Sequence, residues 1–446
     1  MELTIVGGGI TGLAAAYLAA KNGAKVRVLE SSDAFGGLLR TFETGGNRLE
    51  YYYHHFFTHD AEIHWLIREL GIEDKLFYKK TSMATFRNQK HFPFNGPLDL
   101  LRFSPINLLG KFQFAFSSLY LGKWASWSKY EHVPALDWFY ENAGVSATES
   151  LWKPMLDIKF GPYAKEVPLS WMIGRLKQRL NSRKSGDERL GYLDGSLHTL
   201  LTALLNKLTE LNVELVLNAP VTQIHIEANQ TVTGVSTPTN QYSGGEYLFT
   251  LPGVHLAPLL PAFGSTRDKL QNIKYFGAVC VILEMNRKLS DTYWLNIADP
   301  GFDFGGVIEH TNFIGPEHYN GKHIAYLSRY FATHDPLFNA TKDQISEKML
   351  TQLKYIYPHF NPTQIEQVHV FKTKTAATVC DLNFSKKVPD CKTEFNHMYV
   401  CNMAHVYPDE RSVNNSIRIA AQAIKALGLN QVSVPTCASL SGKIGF

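Results

Sequence analysis

Residues 2–41 read ELTIVGGGITGLAAAYLAAKNGAKVRVLESSDAFGGLLRT, and they contain the most informative pattern in the chain. Glu2 to Val6 is a short and mostly apolar segment, which predicts a strand. Leu13 to Leu18 is rich in alanine and leucine, which predicts a helix, and Lys25 to Leu29 predicts a second strand. A strand, a glycine turn, a helix and a second strand that ends in an acid, here Glu30, form the dinucleotide-binding pattern.

Each residue of this pattern has a specific physical role in dinucleotide binding. Gly7 permits the tight turn, Gly9 lets a pyrophosphate approach the backbone, and Gly12 lets the helix pack closely on the strand. The free N–H groups of the helix N-terminus, where Thr11 lies, favour an anion. Glu30 follows Gly12 by 18 residues, near the spacing at which an acid accepts a hydrogen bond from a ribose hydroxyl. These five residues are therefore predicted to bind a dinucleotide.

A second glycine pair follows the acid. Gly36 and Gly37 predict another turn close to the phosphates, followed by Leu38. Arg40 is the nearest cation that could meet a phosphate or a flavin carbonyl. A nicotinamide enzyme does not need this second element, whereas the longer FAD must be held at more points. The predicted cofactor is therefore FAD rather than NAD.

The length and composition of the chain limit the classes of protein to which it can belong. A chain of 446 residues is too long for one simple core and predicts two domains. The net charge of +4 is too small to indicate a nucleic-acid partner. Met1 lies one residue before the first strand, and the five cysteines form no CxxC pair, so we expect a cytoplasmic protein without disulfides or zinc.

The glycine-rich start resembles that of the FAD-dependent amine oxidase superfamily. This group includes monoamine and polyamine oxidases, protoporphyrinogen oxidases and phytoene desaturases, and the chain is more distantly similar to UDP-galactopyranose mutases. The resemblance implies an α/β fold with a Rossmann-like (GR2-type) FAD-binding domain and an inserted substrate domain of antiparallel sheet plus helices. The first would comprise residues 1–75, 190–272 and 380–446, and the second residues 76–189 and 273–379. Most members carry an arginine where this chain has Leu38.

The resemblance also implies cofactor contacts far along the chain. Val221 matches a position whose backbone contacts the adenine. Asn402 and Met403 stand at a strand end where members usually carry an acid after a glycine. Ser412 and Val413 then begin a helix whose N–H groups would point at the flavin pyrimidine oxygen.

Two polar clusters are candidates for catalysis. Either His54 or His55 is predicted to point at the flavin, the alternative being a structural pair that packs under the neighbouring tyrosines. The spacing of His55 and His59 would align both on one helix face, but neither an HExxH motif nor a cysteine partner accompanies them, so no metal is expected. Glu309 and His310 end a predicted strand and could orient a substrate or form a solvated turn.

The remaining segments belong to the predicted substrate domain. From about residue 275 the pattern predicts an antiparallel sheet with strands at 276–283, 303–309 and 323–329, then a helix at 341–357. Residues 95–145 are rich in Leu, Phe, Tyr and Trp and predict helices. Their apolar faces are either buried or form a peripheral membrane contact that admits a lipid-like substrate. Lys159 is interpreted as a surface lysine.

The sequence thus predicts an FAD-dependent oxidoreductase that transfers a hydride from a small-molecule substrate to the flavin. The substrate is expected to be large and apolar, of the tetrapyrrole or isoprenoid kind, or else an amine. The alternative is a non-redox isomerase that resembles the nucleotide-sugar mutases and needs cations such as Arg175, Arg179 and Arg329 for a diphosphate. A third hypothesis is a protein in which FAD is only structural.

Overall fold

The structure is a computed structural model that describes residues 1–184, 187–436 and 444–446. Within these ranges the strands are, in chain order, β1 (Glu2–Val6), β2 (Lys25–Leu29), β3 (Thr41–Thr44), β4 (Asn47–Glu50), β5 (Phe56–Phe57), β6 (Leu76–Lys80), β7 (Met83–Arg87), β8 (Lys90–Pro93), β9 (Arg183–Lys184), β10 (Asp187–Leu193), β11 (Glu214–Val216), β12 (Gln223–Ile226), β13 (Val232–Ser236), β14 (Gln241–Ser243), β15 (Glu246–Phe249), β16 (Tyr275–Met285), β17 (Trp294–Ile297), β18 (Gly306–Glu309), β19 (His323–Ala332), β20 (Ile365–Thr378) and β21 (Met398–Val400).

The α-helices in the same ranges are α1 (Ile10–Lys21), α2 (Ala61–Glu69), α3 (Pro97–Arg102), α4 (Leu108–Lys123), α5 (Ala135–Asn142), α6 (Val145–Ala147), α7 (Lys153–Phe160), α8 (Leu169–Asn181), α9 (His198–Glu210), α10 (Gly253–Leu256), α11 (Ser265–Gln271), α12 (Pro336–Asn339), α13 (Lys342–Ile356) and α14 (Val413–Ala426). None of these helices is long and apolar enough to cross a bilayer.

A five-stranded parallel sheet carries the glycine turn. Its order is β11–β2–β1–β15–β21, and every neighbouring pair is parallel. Ile5 of β1 stands between Val28 and Leu248, and all three are fully buried because helices such as α1 and α14 cover the sheet. The carboxyl ends of the strands share one edge, where open parallel sheets bind their ligands.

A seven-stranded sheet forms the second large layer, in the order β20–β16–β19–β18–β17–β7–β8. Its pairs are antiparallel except β17 with β7. All eleven residues of β16 are buried, and Ile345 and Met349 of α13 pack in the same core as Val279 and Val281. The strands predicted near 276, 303 and 323 are confirmed as β16, β18 and β19, and the predicted helix as α13. The sequence missed β20, the longest of the strands above.

The two sheets draw on different parts of the chain. Every strand of the parallel sheet lies within residues 1–75, 190–272 or 380–446, and every strand of the seven-stranded sheet lies within 76–189 or 273–379. A smaller sheet, β5–β10–β6 with β9 beside β10, joins these two groups of residues. Its strand β10 begins at Asp187, which belongs to 76–189, and ends at Leu193, which belongs to 190–272. The chain therefore has a mixed α/β fold.

Several local predictions need correction or refinement. Gly191 to Leu193 finish β10, and α9 begins at His198. Residues 95–145 are helical as predicted, but the outward side of α4 is exposed. Cys280, Cys380, Cys391 and Cys401 are buried free thiols, whereas Cys437 lies outside the described residues.

Candidate functional site

The glycine turn has the geometry of a ligand cradle. Gly7 adopts a φ of +114° and donates its N–H to the Leu29 carbonyl at 2.8 Å. A Cβ on Gly12 would lie 2.0 Å from the Gly7 oxygen, so only glycine fits there. A Cβ on Gly9 would meet no protein atom within 4 Å, which leaves open space beside the N-terminus of α1. Gly9 caps α1 without a side-chain hydrogen bond, and Thr11 lies in its first turn. The first N–H groups of α1 therefore suit a phosphate.

Glu30 stands directly after β2, at the ligand-binding edge of the parallel sheet. Its carboxylate accepts hydrogen bonds from the Gly8 N–H at 2.8 Å, from the Ser32 N–H at 2.9 Å and from the Ser32 hydroxyl at 2.7 Å. These donors fix its orientation, and a carboxylate can accept further bonds. The Glu30 backbone carbonyl accepts from the Ala219 N–H at 2.8 Å, two residues before the half-buried Val221.

The second glycine pair lies against the first turn. The Gly36 N–H donates to the Gly8 carbonyl at 2.8 Å, and Gly36 has a φ of +115°. A Cβ on Gly37 would stand 3.2 Å from the Gly9 Cα. Leu38 sits in the short 3-10 helix that follows. Arg40 pairs with Asp33 at 2.8 Å and lies 5.7 Å from the Tyr51 ring, so its charge is already partnered.

The C-terminal residues reach the same region. Ser412 caps α14 and accepts from the Asn415 N–H at 3.0 Å, and Val413 is the first helical residue. The Asn402 amide is buried, donates to the Leu251 carbonyl at 2.9 Å and accepts from the Ala404 N–H at 3.0 Å. Asn402 therefore ties the end of β21 to the end of β15, and its role as a cofactor contact stays a prediction.

The histidine segment is not helical. Phe56 and Phe57 form β5, and α2 begins only at Ala61, so His55 and His59 do not share a helix face as the metal hypothesis required. No group of metal-ligating side chains occurs in the described part of the chain. The His54 Nδ1 contacts the Tyr52 carbonyl, and burial, with the charge of Arg411 in addition, lowers the pKa of His54 to about 4. His54 is therefore neutral at physiological pH.

The His55 ring packs edge-on against aromatic rings on two sides. Its centroid is 5.5 Å from that of Phe57 and 6.0 Å from that of Trp294.

Glu309 and His310 are buried and make hydrogen bonds within the protein. Glu309 exposes none of its surface and accepts from the Leu289 and Ser290 N–H groups at 2.7 and 2.8 Å. Burial outweighs these donors and raises the pKa of Glu309 to about 7. The His310 Nε2 contacts the Tyr319 hydroxyl at 2.8 Å, and burial lowers its pKa to about 3. The predicted substrate-orienting role of the pair stays a prediction that these contacts do not support.

A cluster that sequence reasoning missed centres on Lys159 of α7. Its Nζ forms an ion pair with Glu410, whose other oxygen accepts from Arg175 at 3.0 Å. The Lys159 and Glu410 side chains are each only 18% exposed, so the interpretation of Lys159 as a surface lysine is wrong. Arg411 donates to the Tyr330 hydroxyl at 2.6 Å. These four charged residues are called the lysine cluster below.

Electrostatics set the protonation of the lysine cluster. Burial lowers the pKa of Lys159 to about 8, although Glu410 attracts its proton. Burial alone would raise the pKa of Glu410, but Lys159 and Arg175 outweigh burial and hold it at about 2. Three cations thus surround one ionised carboxylate, and the cluster carries an excess of positive charge.

The lysine cluster borders a narrow cleft of about 20 Å³, whose walls combine apolar side chains with polar ones such as Asp409. The walls include Phe160, Trp171, Phe276, Tyr330, Met403 and Tyr407. Met403 and Arg411 belong to the segment that was predicted to reach the flavin, so the cleft adjoins the predicted cofactor site. A larger open groove of about 780 Å³ is lined by residues such as Lys90, Arg287 and Tyr355, and none of the predicted cofactor residues lines it.

Comparison with known proteins agrees with this geometry. Residues 10–384 match the model of the flavin-containing amine oxidoreductases. The chain belongs to this family. It is 23% identical over 420 residues to a 15-cis-phytoene desaturase of an Oncidium hybrid cultivar, covering 88% of this chain and 70% of that protein.

Solved structures share the fold at low identity. A candidate protoporphyrinogen oxidase from Exiguobacterium sp. superposes with a TM-score of 0.76 and 16% identity over 96% of this chain and 99% of that one. A reduced UDP-galactopyranose mutase gives 0.73 and 14% over 99% and 97%. The chain is thus an FAD-dependent oxidoreductase by family, and its open Gly9 cradle and uncapped α1 fit the cofactor.

Proposed function

We propose that the substrate of this oxidoreductase is large and apolar and that its reacting carbon lies at the mouth of the cleft beside the lysine cluster. The observation that carries the proposal is the set of aromatic walls around a buried lysine with a pKa of about 8. Bound FAD supplies the hydride-accepting chemistry. The protein must then orient the substrate, exclude water and manage the proton that is released.

Lys159 is the residue proposed to manage that proton. When a hydride leaves a substrate C–H bond, a proton must also leave a neighbouring atom, and a neutral Lys159 Nζ can accept it. The ion pair with Glu410 fixes the position of Nζ, and the low pKa of Glu410 keeps this carboxylate ionised. A lysine with a pKa near 8 is neutral often enough at physiological pH to act as a base.

An amine is the less favoured substrate because protein cations already occupy the aromatic faces that would bind it. Lys159 lies 4.8 Å from the Trp171 ring and Arg175 lies 5.7 Å from the same ring. Arg411 lies 5.6 Å from the Tyr330 ring. A protonated amine would compete with these contacts and meet the excess positive charge. A molecule without a positive charge, such as an isoprenoid or a tetrapyrrole, meets neither obstacle.

The division into domains belongs to the same proposal. We assign FAD binding to residues 1–75, 190–272 and 380–446 in a Rossmann-like arrangement, and the substrate to residues 76–189 and 273–379. The strand content of the two large sheets supports this division. In this assignment the cleft has walls from both units, with Lys159 and Trp171 from one and Met403 and Glu410 from the other.

The alternative isomerase finds less support in the contacts of its candidate cations. Arg175 pairs with Glu410, and Arg329 pairs with Asp303 at 2.9 Å and with Asp335 at 3.5 Å. Arg179 lies 6.0 Å from the Phe57 ring. A diphosphate would have to displace carboxylates that already neutralise two of the three arginines.

Anaerobic reduction of the flavin tests the proposal. The FAD-loaded protein is mixed with a porphyrinogen, a polyene isoprenoid or a primary amine, and the flavin band at roughly 450 nm is followed. We expect bleaching by one of the two apolar classes. Bleaching by the amine alone would refute the apolar substrate. Conversion of a nucleotide sugar only after dithionite reduction would support the isomerase, and FAD that no candidate reduces would support a structural cofactor.

A further inference from the structure

Helix α4 exposes large apolar side chains along its outward side. Leu108, Leu109, Phe112 and Phe116 are 64–68% exposed, and Leu119 is 38% exposed. Their spacing of three, four or seven residues places them on one side of the helix. The opposite side is also apolar, with Leu121 buried against the protein. A helix in water normally keeps its outward side polar, so this side indicates contact with another apolar phase.

Helix α3 extends the same surface. Leu98 and Leu101 are 67% and 55% exposed. The Lys111 Nζ, in the first turn of α4, donates to the Leu101 carbonyl at 2.6 Å and joins the end of α3 to the start of α4. The exposed leucines and phenylalanines of the two helices therefore form one surface, called the apolar face below.

Cations border the apolar face. Residues 97–129 contain four basic residues, Arg102, Lys111, Lys123 and Lys129, and one acidic residue, Asp99. Arg102, Lys123 and Lys129 are exposed. Large apolar side chains beside lysine and arginine are the composition of a segment that lies in the interface of an anionic bilayer.

We propose that the apolar face docks onto the surface of a membrane that contains anionic lipid. Docking means lying on the bilayer, since none of the helices in the described ranges could span it. Phe112 and Phe116 would enter the boundary of the acyl chains, while Lys123 would meet lipid phosphates. A second copy of the chain is the weaker candidate, because a two-fold contact would bring the bordering cations of both copies together.

The apolar face lies one helix layer from the cleft. The inner side of α4 packs on α8 so closely that a Cβ on Gly122 would stand 2.2 Å from the Leu180 Cδ1. Helix α8 carries Trp171 and Arg175 beside the cleft. Docking would therefore bring the cleft close to a reservoir of apolar molecules. This consequence rests on the proposed function, whereas docking itself does not.

Vesicle sedimentation of the FAD-loaded full chain tests docking without any turnover. The vesicles are phosphatidylcholine alone, or phosphatidylcholine with about one third phosphatidylglycerol. We expect the protein to bind the mixed vesicles, and the double variant Phe112→Glu/Phe116→Glu to lose at least about tenfold in partitioning. The matched control is Phe263→Glu, because Phe263 is 62% exposed outside the apolar face and its replacement should leave binding unchanged.

Two further measurements make the outcome decisive. Lys123→Gln should weaken binding to the mixed vesicles by about fivefold and have little effect at high salt. FAD content and the thermal midpoint show whether each variant is folded. The proposal is overturned if the wild-type protein binds neither kind of vesicle, or if the double variant binds as strongly as wild type. Light scattering that finds a wild-type dimer, dissociated by the double variant, would assign the face to self-association instead.

Discussion

Replacing Lys159 by methionine gives the sharpest test of the lysine cluster. Methionine keeps most of the side-chain length and removes the amine, while Glu410 retains its bond to Arg175. If Lys159 accepts the substrate proton, the variant should reduce its flavin about 100-fold to 10,000-fold more slowly, the usual range for a lost general base. FAD should stay bound, because Lys159 takes no part in the glycine turn that is predicted to hold the phosphates of the cofactor.

The pKa of Lys159 determines how strongly the rate of flavin reduction should depend on pH. A pKa of about 8 leaves about one tenth of the Lys159 side chains neutral at pH 7 and about nine tenths at pH 9. The wild-type rate of flavin reduction should therefore rise about tenfold between these values, with a midpoint near 8. Stopped-flow absorbance with the substrate that bleaches the flavin measures this rise, and Lys159→Met should abolish it.

The lowered pKa of Lys159 also affects the stability of the protein, which can be measured without a substrate. Lysine has an ordinary pKa of 10.5, and burial lowers it to about 8 in the folded protein. Between these pH values the unfolded chain holds a proton that the folded chain has released, so the free energy of unfolding rises with pH, by about 3 kcal/mol in total. Denaturant unfolding of wild type at several pH values, minus that of Lys159→Met, isolates this rise from the other lysines.

Lys153→Met is the matched control for both measurements. Lys153 lies on the same helix and pairs with Asp157, but its side chain is 40% exposed. Its replacement should change neither the pH profile nor the stability difference. An Lys159→Met variant with the wild-type rate and an unchanged midpoint near 8 would refute the role as a base, and an unchanged stability difference would refute the lowered pKa itself.

Four further substitutions test other parts of the site. Gly9→Val should abolish FAD retention, measured by absorbance after gel filtration. It should not lower the stability of the FAD-free protein, because a Cβ at this position meets no protein atom within 4 Å, whereas Gly12→Val should destabilise even the FAD-free protein. A Gly9→Val variant that still binds FAD would contradict the proposed cradle. His55→Ala should slow flavin reduction in stopped-flow traces with FAD still bound, and an unchanged rate would assign His55 to packing. Glu309→Ala leaves two half-buried N–H groups without their acceptor and should lower the free energy of unfolding by about 1–3 kcal/mol, with little effect on the reduction rate. A lost rate at full stability would restore Glu309 as a catalytic residue.

The parts of the structure that the sequence predicted are those with a local signal. Gly7, Gly9 and Gly12 act through backbone geometry within six residues, so their spacing carries the information. The antiparallel strands β16 and β19 are apolar runs, and the core covers them for that reason. By contrast, β20 mixes lysines and threonines into its length and lies at the sheet edge, where burial leaves a weaker pattern.

The lysine cluster has no local signal at all. Lys159 and Glu410 are 251 residues apart, and they meet only because α7 and the C-terminal segment pack around the same cleft. The exposure of α4 is likewise invisible in the sequence, since an apolar helix looks the same whether a core or a membrane covers it. The contact of Asn402 has no local signal either, because its carbonyl partner on Leu251 follows another strand.

The contacts of the aromatic residues, unlike their number, favour one class of substrate. The chain contains 27 Phe, 21 Tyr and 7 Trp, and this number alone cannot distinguish an amine site from an apolar one. Once Lys159 and Arg175 are placed on Trp171 and Arg411 on Tyr330, the aromatic faces next to the candidate base are already in contact with positive charge. An amine would add a cation where three surround one carboxylate, whereas an apolar substrate would cover the remaining ring surface without that electrostatic cost.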